Sequence, residues 1–315
     1  MEKQILKSVH FKRLKCLNDV TICFSDTLTA IMGVNGAGKT TVIHALACVY
    51  QPDDGGKGED HKFPEFFVPN TDSLWNGSEL HVVNETEGKN GQRVVLPSRR
   101  YGKDFDRWSP RYENRPKRNV YYIGIDTCLP EIEKSTATSR IRYSSEKKTG
   151  RLADNIIRDS AYILNKPYQE LLDNTYRNKH FSGVSLSSGL KYSSLSMGTG
   201  EQRVLKILEK VRSAEAYSLI LIDEIDLLLH ISALDRLIEV LHGIAQSKHL
   251  QIVFTTHSVE MLKLNRYVRV QYIANIDPGG KTFVYEKIGS DLLYSLTGKT
   301  CRPIKIYSPK HIARK

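Results

Sequence analysis

A glycine-rich turn between an apolar strand and an amphipathic helix constrains this chain more than any other stretch. Residues 33–40 read Gly-Val-Asn-Gly-Ala-Gly-Lys-Thr, which matches the pattern of a phosphate-binding loop. An apolar strand, residues 28–32, precedes the loop, and the helix that follows has one apolar face, formed by Val42, Ile43, Leu46 and Val49. This context disfavours the alternative of a glycine-rich turn without a ligand, and it predicts an α/β core.

The residue types of the loop determine its chemistry. Glycine lets successive backbone N–H groups approach phosphate oxygens, where a Cβ would obstruct them. Lys39 adds a cation for the β- and γ-phosphates, the Thr40 hydroxyl suits Mg²⁺, and the helix directs the positive end of its dipole at the anion. We therefore predict a nucleotide site formed by Gly33, Asn35, Gly36, Gly38, Lys39, Thr40 and Thr41.

Two adjacent carboxylates follow a second apolar strand, Leu219-Ile-Leu-Ile222. Acids at the end of a buried strand are costly unless they meet a metal or a base, which disfavours a purely structural role. Asp223 is predicted to bind Mg²⁺, directly or through water, and Glu224 to orient and deprotonate an attacking water.

Two further stretches are candidates for the same core. Residues 196–203 place small side chains ahead of an amphipathic helix, which predicts either a second anion-facing helix N-terminus or an ordinary capped helix. The strand 251–255 leads to His257. A lone histidine at a strand end is more often structural, but after Asp223 and Glu224 it becomes a candidate sensor of the γ-phosphate.

The remaining patterns give the predicted architecture. Alternating residues predict strands over Ile5–Phe11, Val20–Phe24, Glu79–Val83, Arg93–Leu96 and Val120–Ile125, and a hairpin over Tyr267–Ile288. Helical periodicity predicts helices over Arg151–Asn165 and Tyr168–Tyr176, which would form a lid. We predict an ATPase core (1–50 and 190–290), an inserted β-layer and helical lid (51–189), and a basic tail (291–315).

The net charge of +11 favours an anionic partner. The segment from Arg93 to Arg118 contains nine Lys and Arg residues and three acids, and the basic residues are interleaved with aromatic residues. This pattern suits nucleic acid, because cations contact phosphates and rings stack on bases. An exposed loop over Arg99–Lys117 is expected to bind nucleic acid through Arg99, Arg100, Arg107 and Arg111; a solvated arm whose aromatic residues pack on the body is an equal alternative.

The five cysteines are scattered without a Cys-x-x-Cys pair, so neither a disulfide framework nor a zinc site is predicted. No apolar run is long enough to cross a membrane, and no signal peptide opens the chain. A cytoplasmic protein without membrane contact is expected.

The four motifs occur in a characteristic order. Gly-x-Asn-Gly-x-Gly-Lys-Thr at 33–40, Gly198-x-Gly-x-Gln202-Arg203, Ile222-Asp-Glu224 and Thr256-His257 together resemble the ATP-binding-cassette (ABC) ATPases, and within them the branch of SMC, RecF and overcoming-lysogenization-defect (OLD) proteins. The opening residues 5–17 are similar to the first strand of that branch. The resemblance covers about residues 1–50 and 190–275.

The resemblance implies an α/β P-loop NTPase of ABC type with a mixed sheet, an N-terminal antiparallel β-layer and an inserted helical lid. It implies hydrolysis of ATP with Mg²⁺, in which Glu224 and His257 are catalytic and Thr40 and Asp223 hold the metal. It also implies a homodimer in which one copy completes the ATP site of the other through Ser196, Gly198, Thr199, Gly200 and Gln202. Ser196 and Thr199 both remain candidates for the hydroxyl of this signature, and Gln92 is only a weak candidate for the Q-loop glutamine.

The segment 302–307 resembles the first strand of the Toprim nuclease domain that is fused to OLD ATPases, but the acids expected after it are missing. This resemblance implies a stand-alone ATPase similar to the Septu-type ATPases of bacterial antiphage systems, some attached to retrons, which act with an HNH nuclease. The hypothesis is an ATPase that senses or clamps nucleic acid and controls a partner effector. A RecF-like repair clamp, the ATPase subunit of a transporter and a small-molecule kinase remain alternatives.

Overall fold

This computed structural model describes residues 3–88, 91–133, 140–275 and 280–289. The described residues form three β-sheets and five α-helices. The helices are α1 (Lys39–Ala47), α2 (Phe63–Phe66), α3 (Arg151–Leu164), α4 (Thr199–Ser213) and α5 (Ile231–Lys248). None of these helices is both long and apolar enough to span a membrane.

The central sheet is mixed, as predicted. Its strands are β3 (Leu28–Gly33), β8 (Val120–Ile123), β13 (Leu219–Ile222), β14 (Gln251–Thr255), β15 (Val268–Asn275) and β16 (Thr282–Tyr285), in the order β16-β15-β3-β14-β13-β8. The first five run parallel to one another, and β16 pairs antiparallel with β15. Strands β3, β13 and β14 are buried along their whole length, as expected of parallel strands covered on both faces.

A second sheet forms the predicted N-terminal β-layer and is antiparallel throughout. Its strands are β1 (Lys3–Leu14), β2 (Leu17–Cys23), β4 (Ser78–Glu87), β5 (Arg93–Val95), β6 (Arg99–Lys103) and β7 (Trp108–Ser109). The prediction of an exposed loop over Arg99–Lys117 is therefore wrong in its first part, because β6 pairs with β4. Tyr101 and Trp108 are buried, at 1% and 8% exposure.

The third sheet is formed by β9 (Ser144–Lys147), β10 (Tyr168–Tyr176), β11 (Lys179–Leu186) and β12 (Lys191–Ser193). We call this sheet together with α3 the insert. The predicted helix over Arg151–Asn165 is confirmed as α3, whereas the prediction of a helix over Tyr168–Tyr176 is wrong. The register of β10 against β11 shifts between Tyr168 and Glu170, which puts Tyr168 and Leu171 on the same face. Because Leu172 is buried on the opposite face, the three buried residues have a spacing that imitates a helix.

The two strands of the predicted C-terminal hairpin are present as β15 and β16. Its turn, residues 276–279, and the predicted basic tail, 291–315, lie outside the described residues.

The register of the central sheet brings the predicted motifs to one edge. Ile222 pairs with Ile123 and with Phe254, and Thr255 pairs with Ile31. Because these strands are parallel, the segments that follow them, including the glycine-rich loop, Asp223 and His257, leave the sheet at the same side.

Candidate nucleotide site

The glycine-rich loop connects β3 to α1 and depends on residues without a Cβ. Gly33, Gly36 and Gly38 have φ angles of 151°, 78° and 100°, in the left-handed region that favours glycine. A Cβ at Gly33 would lie 2.5 Å from the carbonyl oxygen of Ile273. The loop therefore keeps its shape only with glycine at these positions.

The Lys39 ammonium folds back into this loop. Its Nζ donates to the carbonyl oxygens of Gly33 (2.9 Å) and Val34 (3.1 Å). Burial lowers the pKa of Lys39, and the nearby carboxylates of Glu224, Asp223 and Asp226 act in the opposite direction. A cation held by neutral carbonyls inside a turn of N–H groups is suited to bind a phosphate.

Asp223 lies at the centre of a short chain of hydrogen bonds. The carboxylate is 1% exposed, and its Oδ1 accepts from Thr40 Oγ1 (3.2 Å) and from Thr255 Oγ1 (2.6 Å). Thr255 Oγ1 in turn accepts from the backbone N–H of Glu224 (2.6 Å). The loop, β13 and β14 are thus joined through three polar groups, of which Thr255 was not predicted from the sequence.

Glu224 and His257 face each other at the mouth of the site. Glu224 has a φ of 51°, a left-handed conformation that is uncommon for a residue with a side chain and that redirects the chain at the end of β13. Its Oε1 lies 3.9 Å from His257 Nε2, and the two side chains are 30% and 39% exposed. Both are therefore accessible to a ligand, as their predicted roles require.

The donor set fits a nucleotide with Mg²⁺. Thr40 and Asp223 offer hard oxygen ligands, and Mg²⁺ is usually held by one or two carboxylates together with phosphate oxygens and water. Within the described ranges, no group of three His, Cys, Asp or Glu residues is arranged to hold a metal by itself.

The second predicted set lies at the start of α4. Gly198 is the N-cap, Thr199 is the first helical residue, and Ser196 is exposed just before them. A Cβ at Gly200 would lie 2.5 Å from the carbonyl oxygen of Leu228, so the turn after Glu224 packs directly on this helix. Glycine is required at 200 by that close contact, whatever else the residue does.

Gln202 is engaged within its own chain. Its Nε2 donates to the carbonyl oxygens of Ser194 (2.7 Å) and Met197 (2.9 Å), and its Oε1 accepts from the N–H of Glu131 (3.1 Å). The residue is 3% exposed. In this structure it holds the segment ahead of α4 in place.

Arg203, the last residue of the motif at 198–203, was given no role in the site from the sequence. It is fully buried, and its Nη2 donates to the backbone carbonyls of Asp223 (2.7 Å) and Glu224 (3.1 Å). Nη1 contacts Thr127 Oγ1 and the carbonyl of Gly124. Burial lowers the pKa of Arg203. One guanidinium therefore joins α4 to the ends of β13 and β8.

The loop beside the carboxylates contains no glutamine. It follows β8 and includes the short 3₁₀ helix Ile125–Cys128, with Asp126 exposed. Gln92 lies elsewhere, in the turn before β5, where its carbonyl accepts from the N–H of Gly88. The prediction of Gln92 as a weak candidate for the Q-loop glutamine is therefore wrong.

The four predicted nucleic-acid arginines differ in their partners. Arg100 is bonded to Glu79 (2.9 Å) and to both oxygens of Asp104 (2.6 and 3.1 Å). Arg99 donates to the carbonyl of Asn114, and Arg107 and Arg111 are exposed around a shallow depression. Phe105, in the turn between β6 and β7, is 82% exposed.

The fold is an α/β P-loop fold of ABC type, similar to the head domains of SMC proteins. The SMC head domain from Thermotoga maritima superposes with a TM-score of 0.52 at 15% identity, over 90% of this chain and 99% of that one. An Smc head domain with an extended coiled coil, bound to the C-terminal domain of ScpA derived from Pyrococcus furiosus, gives 0.52 at 12% identity, over 90% and 96%. At such identities these structures establish the fold alone.

The chain belongs to the family described as "AAA domain, putative AbiEii toxin, Type IV TA system", whose model matches residues 68–263. The matched range includes α4, Asp223, Glu224 and His257 and begins after the glycine-rich loop. A curated relative, the fructose import ATP-binding protein FruK of Bifidobacterium longum, is 27% identical over 176 residues. That alignment spans 54% of this chain and about a third (33%) of the relative.

Proposed function

We propose that this protein binds and hydrolyses ATP with Mg²⁺ at the edge where β3, β13 and β14 end. The observation that carries the proposal is the linked set of Thr40, Asp223, Thr255 and Glu224 beside the glycine-rich loop. Residues 33–41 would hold the phosphates, and Thr40 and Asp223 would hold Mg²⁺, which would neutralise charge on the β- and γ-phosphates.

The chemical step is assigned to two side chains. Glu224 orients and deprotonates the attacking water, and His257, 3.9 Å from it, contacts the γ-phosphate. Both side chains are partly exposed, so a water and a phosphate can reach them from solvent.

We further propose a homodimer in which ATP is bound between two copies. Ser196, Gly198, Thr199 and Gly200 would contact the nucleotide held by the other copy, and Gln202 would support them by fixing residues 194–197. Loss of the γ-phosphate after hydrolysis would weaken the contact between the copies.

Association is the direct test of the dimer. With Mg²⁺ and a non-hydrolysable ATP analogue, the mass measured by light scattering is expected to double relative to the protein with ADP. The control is Lys3→Ala, which lies at the end of β1 opposite to Leu14 and is ion-paired with Glu87, and this variant is expected to behave as the parent. A mass that stays that of one chain under all these conditions would refute the dimer.

Nucleic acid is the proposed ligand of the β6–β7 region. Arg107 and Arg111 are exposed, and Phe105 offers an exposed ring, a combination suited to phosphates and unpaired bases. The charge of Arg100 is already balanced by Glu79 and Asp104. We therefore assign the larger share of binding to Arg107 and Arg111.

Changing Arg107 and Arg111 to alanine is expected to weaken binding of a fluorescent single-stranded oligonucleotide and to lower the slope of log K against log salt by about 1.4. The slope falls because each lost phosphate contact releases about 0.7 fewer counterions from a single strand. The double variant Arg99→Ala with Arg100→Ala removes the same charge from side chains that are already bonded to Asn114, Glu79 and Asp104, and as the matched control it is expected to have a smaller effect. Equal losses in the two variants would assign the effect to overall charge.

We propose that the ATP cycle controls a partner effector, an HNH-type nuclease, in bacterial antiphage defence and in the cytoplasm. The proposal rests on the resemblance to stand-alone Septu-type ATPases, and the family description, which names a toxin–antitoxin system, is compatible with it. Co-expression with a nuclease encoded beside the gene tests it: a complex whose nuclease activity depends on ATP is expected. A RecF-like repair ATPase would act without such a partner.

A transporter subunit is the second candidate, because the curated relative is named an import ATP-binding protein. Co-purification of an integral membrane protein with the chain would favour that candidate over the nuclease partner.

A further inference from the structure

Four donors converge on one carboxylate in the first turn of α4. Glu201 Oε1 accepts from Tyr168 Oη (2.7 Å) and Tyr192 Oη (3.3 Å) and forms an ion pair with Lys166. Its Oε2 accepts from the backbone N–H of Gly198 (3.2 Å). The Glu201 side chain is only 12% exposed, so this carboxylate is fixed in a single position.

The three side chains that hold Glu201 all come from the insert. Lys166 lies between α3 and β10, Tyr168 begins β10, and Tyr192 belongs to β12. Burial lowers the pKa of Lys166, but the hydrogen bond and charge of Glu201 raise it overall, while burial and these hydrogen bonds raise the pKa of Tyr168. Lys166 therefore stays protonated and Tyr168 keeps its hydroxyl proton over the working pH range.

The start of α4 also contacts the segment that contains Asp223 and Glu224. Two residues after Glu201, the Arg203 guanidinium donates to the carbonyl oxygens of Asp223 and Glu224. Glu201 and Arg203 are joined by hydrogen-bonded helix, so a displacement of one shifts the other by a comparable distance. A shift of about 1 Å in a group that positions a catalytic residue is enough to slow a reaction severely.

We propose that Glu201 is a positioning residue, through which the insert sets the orientation of Glu224. When Lys166, Tyr168 and Tyr192 hold the carboxylate, the first turn of α4 keeps Arg203 against the end of β13. When the insert moves away, that turn loosens and turnover falls. The inference rests on the proposed hydrolysis of ATP and adds a route by which the insert regulates it.

The chain contains a matched control on the same helix. Glu209 also ties α4 to the insert, since its Oε1 accepts from Ser182 Oγ (2.9 Å) and Lys148 Nζ (3.5 Å). It lies two turns beyond Glu201, away from the contacts of Arg203. Glu209→Gln therefore removes an attachment of the insert without touching the first turn.

The test compares Glu201→Gln with Glu209→Gln in the full chain. For Glu201→Gln we expect kcat for ATP to fall at least tenfold, with KM and the affinity for a fluorescent ATP analogue within twofold of the parent. Hydrogen–deuterium exchange is expected to accelerate in residues 191–203. For Glu209→Gln, kcat is expected to stay within twofold. The double variant Tyr168→Phe with Tyr192→Phe, which keeps the ion pair, is expected to lower kcat severalfold.

Three results would overturn the inference: a parental kcat in Glu201→Gln, an equal fall in kcat in Glu209→Gln, or a loss of analogue affinity parallel to kcat. If Glu201→Gln does not fold, a parental kcat in the double tyrosine variant overturns it instead. A parent protein that binds ATP and does not hydrolyse it would refute the proposed ATPase activity. That result is distinguishable from a failure of the inference about Glu201, because it is seen in the parent and not in the variants.

Discussion

Glu224→Gln is expected to bind ATP with the affinity of the parent and to hydrolyse it about 10²- to 10⁴-fold more slowly, the usual contribution of a general base. Glutamine keeps the size of the side chain and can still lie against His257, 3.9 Å away. It cannot accept a proton from water. The left-handed backbone at this position is unchanged, so the folded structure is expected to remain.

In this variant, phosphate release measures the rate of hydrolysis, and binding of a fluorescent ATP analogue measures affinity. Both are measured on the same preparation. Blocked turnover should also let the ATP-bound dimer accumulate with ATP itself. Glu260→Gln, on the short helix after His257, is the control, because Glu260 is ion-paired with Lys263 and has no contact with the site in this structure. A Glu224→Gln protein that turns over ATP at the parental rate would remove Glu224 from the mechanism.

Lys39→Ala is expected to show the second large effect, this time on binding. The ammonium is the cation closest to the phosphate positions, and a hydrogen bond to a charged group contributes about 1.5–3 kcal/mol. Its loss should weaken ATP binding by roughly 10- to 100-fold. Titration calorimetry with ATP and Mg²⁺ measures the change directly.

Thermal unfolding without nucleotide distinguishes this effect from misfolding. In the free protein Lys39 donates to the carbonyls of Gly33, which is buried, and Val34, which is exposed, and the space left by the lysine side chain can hold a water that bonds to them. The melting temperature of Lys39→Ala is therefore expected to stay near that of the parent, while stabilisation by ATP is lost. Unchanged ATP affinity would argue strongly against the phosphate-loop assignment.

The parts of the fold that the sequence predicted are those in which local pattern and burial agree. Strands β3, β13 and β14 are mainly apolar, and every residue in them is buried. Strand β10 was predicted as a helix because Tyr168, Leu171 and Leu172 follow a helical spacing; the register shift after Tyr168 puts Tyr168 and Leu171 on one face, and Leu172 is buried on the other. A register shift depends on the neighbouring strand and leaves no mark in the segment itself.

In the candidate site too, some residues were predictable from local sequence and others were not. The glycine-rich loop, Asp223 and Glu224 follow from local sequence, because their residue types have few other uses in that order. Arg203 and Thr255 act through contacts with residues distant in the chain, so the role of Arg203, known from the sequence only as the end of a motif, and that of Thr255 are not visible in the local pattern. Likewise, only the pairing of β6 with β4 shows that Tyr101 belongs to the core and that Arg100 is neutralised.

The placement of β3 has a consequence for how the molecule is made. Its two neighbours in the sheet are β14 and β15, which lie more than 200 residues later in the chain. During synthesis the glycine-rich loop emerges early, yet the strand that carries it has no partner until residue 255 has left the ribosome and lacks its second partner until residue 275 has done so. The nucleotide pocket is thus a late product of folding, and a nascent chain truncated before β14 would expose an unpaired apolar strand that invites aggregation.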